Sequence, residues 1–349
     1  MKKVLSLVLA AMLVFALAAC GADDSGEAET PETITITALD ANGEEIDVEV
    51  PYDPQRIAIL DFAALDILDN LGLGDRVVGC ASTTLDYLEK YTTDENIENL
   101  GTIKEADLEA VMACEPDIIF IGGRLSSSYE ALSEIAPVVN LSADFEIGLV
   151  ESTKINAEKI ASIFGKEDEI ADKVAGFESR IEALQEAAAG KTAVVGMCTS
   201  GSFNVLGNDG RCSLIGVEVG FDNVGLEAAA ENSGNRGGGG SGEGRSGEGG
   251  GENRGGGQGG TATHGNEASF ELLVKLNPDY IFVMDRDAAI GTEGAKLAQD
   301  VMENELVMGT DAYKNGNIVY LEHPAVWYTA EGGITALDTM LKDLEAALL

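Results

Sequence analysis

The sequence predicts an α/β protein of two lobes, each with a central, mainly parallel sheet, joined by a long helix and enclosing a ligand cleft. Three observations predict this fold. A seventeen-residue pattern occurs twice, at residues 108–124 and 270–286. Residues 149–188 keep helical periodicity with few helix breakers, the exception lying near Gly165-Lys166. About 330 residues follow the first nineteen, which is enough for two domains with separate cores.

The repeated pattern predicts a helix, a turn and a buried strand. Its two copies read LEAVMACEPDIIFIGGR and FELLVKLNPDYIFVMDR, each with Glu near the start, Pro-Asp in the middle and Arg at the end. The apolar spacing before Pro favours a short helix, and the apolar run after it favours a strand buried on both faces. Because open α/β sheets bind ligands beyond the carboxyl ends of their strands, Arg124 and Arg286 are expected in the cleft.

The other predicted elements complete the two lobes. In chain order they are a β-hairpin over residues 34–51, a strand over 56–60, an amphipathic helix over 63–71, a strand over 76–80, a strand over 194–198 and a closing amphipathic helix over 334–348. The predicted N-terminal lobe therefore spans residues 34–148. Connecting helices follow over residues 149–188, and the C-terminal lobe spans residues 189–349.

The first residues predict a lipoprotein signal. Two Lys precede an apolar run, and Leu-Ala-Ala stands directly before Cys20. This arrangement is typical of a signal peptide, here residues 1–19, that is cleaved before a lipid-bearing Cys. Residues 20–33 are acidic and contain Pro, as expected of a flexible linker. We therefore expect an extracytoplasmic protein that is anchored to the cell membrane through Cys20.

Charge and motif content exclude several classes of function. The formal net charge is −39, which makes nucleic acid an implausible partner. The chain has two His, too few for the three or four ligands with which bare zinc or manganese is usually captured. No GxSxG or HExxH motif is present, so a secreted hydrolase is a remote alternative.

Two further segments carry expectations of their own. After Cys20, four of the five Cys remain, namely Cys80, Cys114, Cys198 and Cys212, and their spacing does not resemble a zinc site. We expect mostly buried free thiols, although an oxidising compartment would permit a bridge. Residues 234–260 contain 16 Gly and no apolar residue. Such a composition cannot offset its ordering entropy and predicts a disordered surface loop.

Several short stretches, in their order and spacing, make the chain resemble the siderophore-binding lipoproteins, a catecholate-binding branch of the helical-backbone substrate-binding proteins of ABC importers. The resemblance covers nearly all of residues 34–349 except the Gly-rich segment. It is carried by VPYDPQRIAILDFAALDILDNLGLGDRVVG from residue 50, LDYLEKY at 85–91, IGGR at 121–124, THG at 263–265, DRDAAIG at 285–291 and WYTAEGG at 327–333.

The resemblance implies a role for particular residues. It assigns ferric iron coordination to His264 and Tyr328, cleft contacts to Arg124, Arg211 and Arg286, and docking on the permease subunits to Glu109 and Glu271. Trp327, the only Trp, is a further candidate for ligand contact as part of the cleft wall, with core packing as the alternative. The resemblance also implies that the protein has no intrinsic cofactor, since ferric iron enters as the siderophore complex. Together with Gly21, the resemblance favours the outer face of a Gram-positive cell membrane.

The residue chemistry is compatible with these roles. Ferric iron prefers oxygen donors and six ligands, so a chelate with four donors leaves two positions for a phenolate and a neutral imidazole. Guanidinium is a permanent cation whose planar donors match catecholate oxygens.

Alternatives stay open at the level of the sequence. Each Arg could instead pair with an acid such as Asp285 or Asp287, and His323 is a rival to His264 as an iron ligand. A hexadentate complex would need no protein donor. Haem, cobalamin or another metal chelate is an alternative ligand for the same fold.

Overall fold

The computed structural model describes residues 31–234 and 261–349, with the side chains of residues 231–234 and 261–268 left out. The predicted signal peptide, Cys20 and residues 235–260 of the Gly-rich segment lie outside the described residues. Residues 33–349 form one compact unit. The division of this unit into lobes at residues 34–148 and 189–349 stays a prediction.

The described residues form strands and helices in alternation. The strands are β1 (Thr33–Leu39), β2 (Glu45–Pro51), β3 (Ile57–Leu60), β4 (Val77–Cys80), β5 (Glu98–Asn99), β6 (Gly101–Thr102), β7 (Glu105–Ala106), β8 (Ile118–Ile121), β9 (Val138–Asn140), β10 (Thr192–Thr199), β11 (Ser202–Val205), β12 (Asp222–Asn223), β13 (Tyr280–Asp285) and β14 (Ile318–Tyr320). The α-helices are α1 (Phe62–Asn70), α2 (Glu89–Thr93), α3 (Leu108–Ala113), α4 (Tyr129–Ser133), α5 (Leu149–Ile163), α6 (Glu167–Val174), α7 (Phe177–Ala188), α8 (Ser213–Val217), α9 (Leu226–Gly234), α10 (Thr261–Leu276), α11 (Arg286–Ala289), α12 (Ala298–Met302), α13 (Glu305–Met308), α14 (Asp311–Lys314), α15 (Pro324–Thr329) and α16 (Ile334–Leu348).

Two five-stranded sheets confirm the predicted α/β class. The first has the order β5-β4-β3-β8-β9, and all its neighbouring strands are parallel. The second has the order β11-β10-β13-β14, with β12 also paired to β10. Only its β10–β11 pair is antiparallel. The predicted hairpin is the antiparallel pair β1–β2, which turns at Gly43 with φ 80°.

The two copies of the sequence pattern adopt the same local structure. One copy forms α3 and β8, and the other forms the end of α10 and β13. In each, the residue before Pro has positive φ, 44° at Glu115 and 42° at Asn277. The Asp after each Pro then accepts hydrogen bonds from the start of a neighbouring strand. Asp117 accepts from the backbone N–H of Arg56 at 2.9 Å, and Asp279 from that of Thr192 at 2.8 Å.

The connection between the sheets differs from the single long helix that the sequence predicts. Residues 149–188 are helical, but they form the three helices α5, α6 and α7. The breaks lie at Gly165 and Gly176, whose φ angles are 61° and 93°. Such angles are outside the right-handed helical region, and glycine adopts them at little cost. The sequence indicated the first break and not the second.

The core joins both sheets and the closing helix. One continuous apolar cluster includes β3, β8, Phe282 of β13 and Leu337 of α16. Cys80, Cys114, Cys198 and Cys212 are buried free thiols, as expected. Among residues 31–234 and 261–349, no helix has both the length and the apolar character needed to cross a membrane.

Candidate functional site

Three arginines from separate parts of the chain surround the ring of Tyr328. Arg124 follows β8, Arg286 follows β13, and Arg211 lies shortly before α8. Their guanidinium carbons are 5.5, 5.4 and 4.3 Å from the centroid of the Tyr328 ring, respectively. The structure therefore brings together all three arginines that were predicted to line the cleft.

Hydrogen bonds hold this cluster in place. The Nε of Arg286 donates to the Tyr328 hydroxyl at 2.9 Å. The Tyr328 main-chain carbonyl accepts from Arg124 Nη2 at 2.7 Å and from Arg211 Nε at 3.2 Å. Tyr328 is 7% exposed. One residue of α15 thus organises three cations by its ring, its hydroxyl and its backbone.

The cluster is strongly positive, and this field changes the pKa of its members. Burial alone would raise the pKa of Tyr328, but the hydrogen bond from Arg286 and the charges of Arg211 and Arg286 bring it below the ordinary value of 10.0. Burial lowers the pKa of Arg124, and the neighbouring charge of Arg211 adds to that effect.

The arginines are incompletely neutralised by acids. Arg286 lies 3.5 Å from Asp287, so the alternative of pairing with a neighbouring acid holds in part for this residue. No ion pair found in the described part of the chain involves Arg124 or Arg211. The Nη1 of Arg124 is buried without a hydrogen-bond partner among the described groups. A buried donor of this kind is costly unless a bound molecule supplies an acceptor.

A cavity of about 310 Å³ lies beside this cluster. It is lined from the first sheet by residues at the end of β3 and just beyond the ends of β8 and β9, and from the second half of the chain by Arg211, Glu331 and neighbouring residues. A larger cavity of about 760 Å³ adjoins it and shares Ser142 and Asn156. Of the cluster, Arg124 and Arg211 line the smaller cavity, whereas Arg286 and Tyr328 line neither. The cavity lies beyond the carboxyl ends of the parallel strands of the first sheet, where open α/β sheets bind ligands.

Two acids in the cavity were missed by the sequence analysis. Asp61 accepts from the backbone N–H of Ala64 at 2.9 Å, and Glu331 accepts from that of Cys212 at 3.0 Å. Burial raises the pKa of Asp61, and it raises that of Glu331 to about 7. Asp61 directly follows a predicted strand, so the rule that located Arg124 could also have found it. Glu331 carries no such signal.

The prediction that Trp327 contacts the ligand is wrong for this structure. Trp327 is 0% exposed and packs in the core. Its indole Nε1 donates to Asp343 at 2.8 Å, since a buried indole N–H requires an acceptor. On a helix, adjacent residues point in different directions, so Tyr328 faces the arginines while Trp327 faces the core.

The structure describes the side chain of His323 but not that of His264. His264 lies in the first turns of α10, and its side chain is outside the described residues, so its role stays a prediction. His323 has a side chain that is 54% exposed, with Nδ1 2.7 Å from Asp343, and it does not line the cavity. Within the described ranges, no three His, Cys, Asp or Glu side chains are grouped to hold a bare metal ion.

Glu109 and Glu271 lie away from the cavity. Both are exposed, Glu109 on α3 and Glu271 on α10, which are the helices of the two pattern copies. The two residues occupy equivalent positions of the repeated pattern, and their role in docking stays a prediction.

Comparison with known proteins shows similarity along the whole chain. The profile of a family described as periplasmic binding protein matches residues 57–325. The petrobactin-binding protein YclQ of Bacillus subtilis is 33% identical over 359 residues, covering 100% of this chain and 99% of that protein. Superposition on the crystal structure of YclQ gives a TM-score of 0.73 and covers 91% of this chain and 99% of YclQ.

Two further crystal structures are similar over comparable lengths. The periplasmic catecholate-siderophore binding protein VctP of Vibrio cholerae has a TM-score of 0.71 at 28% identity, covering 90% of this chain and 100% of that one. PiuA of Streptococcus pneumoniae, a substrate-binding protein of an iron uptake ABC transporter, has a TM-score of 0.72 at 28% identity, covering 92% and 100%.

Proposed function

The chain belongs to the periplasmic binding protein family, and from this premise we propose that it is the substrate-binding lipoprotein of an ABC importer for ferric siderophores. Its cargo is a ferric complex of the catecholate class, held in the arginine-lined cleft. The similarity to YclQ, VctP and PiuA supports both the siderophore ligand and the importer. The same relatives are named as binding proteins, which supports a role without catalysis.

The arginine cluster around Tyr328 is the observation that carries the proposal. A ferric chelate with several catecholate oxygens is an anion, and guanidinium groups bind such oxygens with charge-assisted hydrogen bonds. Arg124 and Arg211 lack an ion-pair partner among the described residues, and Arg124 keeps a buried donor free. A bound anion would supply both the missing charge and the missing acceptor.

Tyr328 is proposed as a direct ligand to the iron of the cargo. Its lowered pKa favours the phenolate, which is the form that binds ferric iron. His264 is proposed as the second protein ligand, on the strength of the sequence resemblance. The iron belongs to the substrate, so this proposal assigns no resident metal to the protein.

The overall charge of −39 does not oppose the capture of an anion at short range. Ions screen surface charge over about 8 Å at physiological ionic strength. A ligand in the cavity would contact Arg124 and Arg211 directly, whereas the acids of the outer surface would be screened. The local field is therefore attractive although the molecule as a whole is acidic.

The protein is also proposed to have a defined location and a protein partner. Lipid attachment at Cys20 would hold the protein on the outer face of a Gram-positive cell membrane. Glu109 and Glu271 would dock on the permease, one from each copy of the repeated pattern. Two equivalent acids suit a partner with two equivalent subunits.

A binding titration tests the proposed cargo. The mature protein is titrated with a ferric catecholate, a ferric hydroxamate, haem and cobalamin, following the fluorescence of Trp327. Although buried, Trp327 is next to Tyr328, so a strongly coloured ligand in the cleft should quench it by energy transfer. We expect saturable quenching of the unaltered protein by the ferric catecholate. Arg124→Leu should bind the same complex at least about tenfold more weakly.

Controls separate loss of charge from loss of structure. Lys173→Ala removes one positive charge from the exposed surface of α6 and should leave affinity unchanged. Thermal unfolding checks that Arg124→Leu remains folded. Binding of haem or cobalamin with indifference to both ferric complexes would contradict the proposal. Binding of the ferric hydroxamate alone would retain the iron-chelate function and overturn the catecholate class.

A further inference from the structure

We propose that Glu331 is an internal counter-anion of the cleft, balancing the arginines in the empty protein and taking up a proton when the anionic chelate binds. This inference rests on the proposed function and deepens it. It makes Glu331 a residue that determines the ligand charge that the cleft accepts.

The position of Glu331 supports this role. Its side chain lines the same cavity as Arg124 and Arg211. One carboxylate oxygen accepts from the backbone N–H of Cys212 at 3.0 Å, which holds the carboxylate next to the residue that follows Arg211. Cys212 adopts a left-handed conformation with φ 63°, which is uncommon for a residue with a side chain. Such a conformation persists where surrounding contacts over-determine it.

The charges around Glu331 come from both halves of the molecule. Arg211 and Arg124 lower its pKa, whereas burial raises it more strongly, and the result is a pKa of about 7. Asp61 lines the same cavity from the end of β3, and burial raises its pKa as well. The thiol of Cys212 has a pKa far above its ordinary value because it is buried, so it stays uncharged. Near neutral pH, Glu331 can thus exchange a proton at little cost.

An anionic chelate changes this balance in one direction. It brings negative charge into the cavity and occupies the guanidinium groups that had favoured the carboxylate. Both effects stabilise the neutral carboxylic acid. Binding should therefore tighten as the pH falls through the titration of Glu331, because the protonated side chain no longer competes for the arginines.

Calorimetry of Glu331→Gln tests the inference. Glutamine keeps an oxygen that can accept from Cys212, and it removes the charge. At pH about 8, Glu331→Gln should bind a ferric catecholate about three- to tenfold more tightly than the unaltered protein, and at pH about 6 the two affinities should converge. Calorimetric titrations in buffers of different ionisation enthalpy report how many protons are taken up on ligand binding. The unaltered protein should take up about half a proton more than the variant.

A matched control and a direct measurement make the test decisive. Glu186→Gln removes the same charge from the exposed surface of α7 and should reproduce the unaltered protein. Infrared difference spectra of the unaltered protein should gain a protonated-carboxyl band on binding. Glu331→Gln should lose this band and Glu186→Gln should keep it, which separates Glu331 from Asp61 of the same cavity.

The outcomes distinguish this inference from the proposed function. If the ferric catecholate binds but the infrared band is absent, or if Glu331→Gln keeps the affinity and proton uptake of the unaltered protein, Glu331 is not a counter-anion and the cargo proposal stands. If no ferric chelate binds to the unaltered protein, the proposed function itself fails. A Glu186→Gln effect equal to that of Glu331→Gln would show a long-range charge effect and overturn the assignment to Glu331.

Discussion

Arg124, Arg211 and Arg286 come from distant parts of the chain, yet their guanidinium groups all lie against one phenol ring. Like charges at such short range repel each other, and burial makes the repulsion stronger. The ring, hydroxyl and carbonyl of Tyr328 each offset part of this cost through cation–π contacts and hydrogen bonds. The remaining imbalance is what favours an anionic ligand.

At the residue scale, Tyr328→Phe tests the electrostatics of the cluster. Because Arg286 and Arg211 lower the pKa of Tyr328, the phenol should ionise at lower pH than an ordinary tyrosine. Ultraviolet titration of phenolate absorbance should therefore show one component at lower pH than the rest, here called the early component. Tyr328→Phe should remove it. With a tetradentate ferric catecholate, the variant should also lose the phenolate-to-iron charge-transfer colour.

Tyr320→Phe serves as the control for that titration. Burial raises the pKa of Tyr320 to about 12, so its removal should leave the early component intact. If Tyr328→Phe leaves both the early component and the colour of the complex unchanged, neither the lowered pKa nor the ligation holds.

At the scale of elements, α16 is attached to α1 through a buried carboxylate. Asp66 of α1 accepts from the backbone N–H groups of Thr335 at 3.1 Å and Ala336 at 2.9 Å, at the start of α16. It also accepts from Asn70 at 2.7 Å. Free N–H groups at a helix start need acceptors, and here another helix supplies them. The closing helix, predicted correctly from its apolar periodicity, is therefore held by a contact that periodicity does not reveal.

The substitution Asp66→Ala measures this attachment. Because it leaves several buried donors without an acceptor, we expect the free energy of unfolding to fall by about 2–4 kcal/mol. Urea denaturation followed by circular dichroism gives the value. Asp172→Ala, on the exposed surface of α6, should change the free energy by less than about 0.5 kcal/mol. A similar small change for Asp66→Ala would show that α16 does not depend on this carboxylate.

At the scale of the whole molecule, the repeated pattern positions two equivalent surfaces as well as two equivalent strand ends. The helices α3 and α10 each expose one Glu of the pattern, while the strands β8 and β13 each lead to an Arg of the cluster around Tyr328. Under the proposed function, ligand contact and docking would thereby be assigned to different parts of the same structural unit.

This separation predicts a selective loss of transport. Glu109→Lys combined with Glu271→Lys should leave the affinity for the ferric chelate within about twofold, because neither residue lines the cavity. Uptake of the labelled chelate by cells should fall about tenfold or more. The introduced Lys side chains would repel the permease groups that are proposed to attract the two Glu. Glu186→Lys provides the control for charge reversal on the surface. Normal uptake by the double variant would contradict the docking proposal.

Much of the fold could be predicted because its signals are local. The Pro-Asp pattern, the hairpin turn and the apolar runs depend on neighbouring residues. Outside residues 149–188, the strands and helices predicted with bounds agree with the structure within two residues. The break at Gly176 was missed because a single glycine in a helical pattern is ambiguous. The short helices α11 to α14 lack enough residues to show a period.

The sequence by itself determined the α/β class, the repeated unit and the places of Arg124 and Arg286 after their strands, because strand ends and turns are encoded by adjacent residues. Arg211 was expected only from the family resemblance. Only the tertiary structure decided that these arginines share Tyr328, that Trp327 belongs to the core, and that Glu331 lies in the same cavity. Those relations join residues far apart in the chain. Their distances follow from how the two sheets pack, which no local pattern specifies.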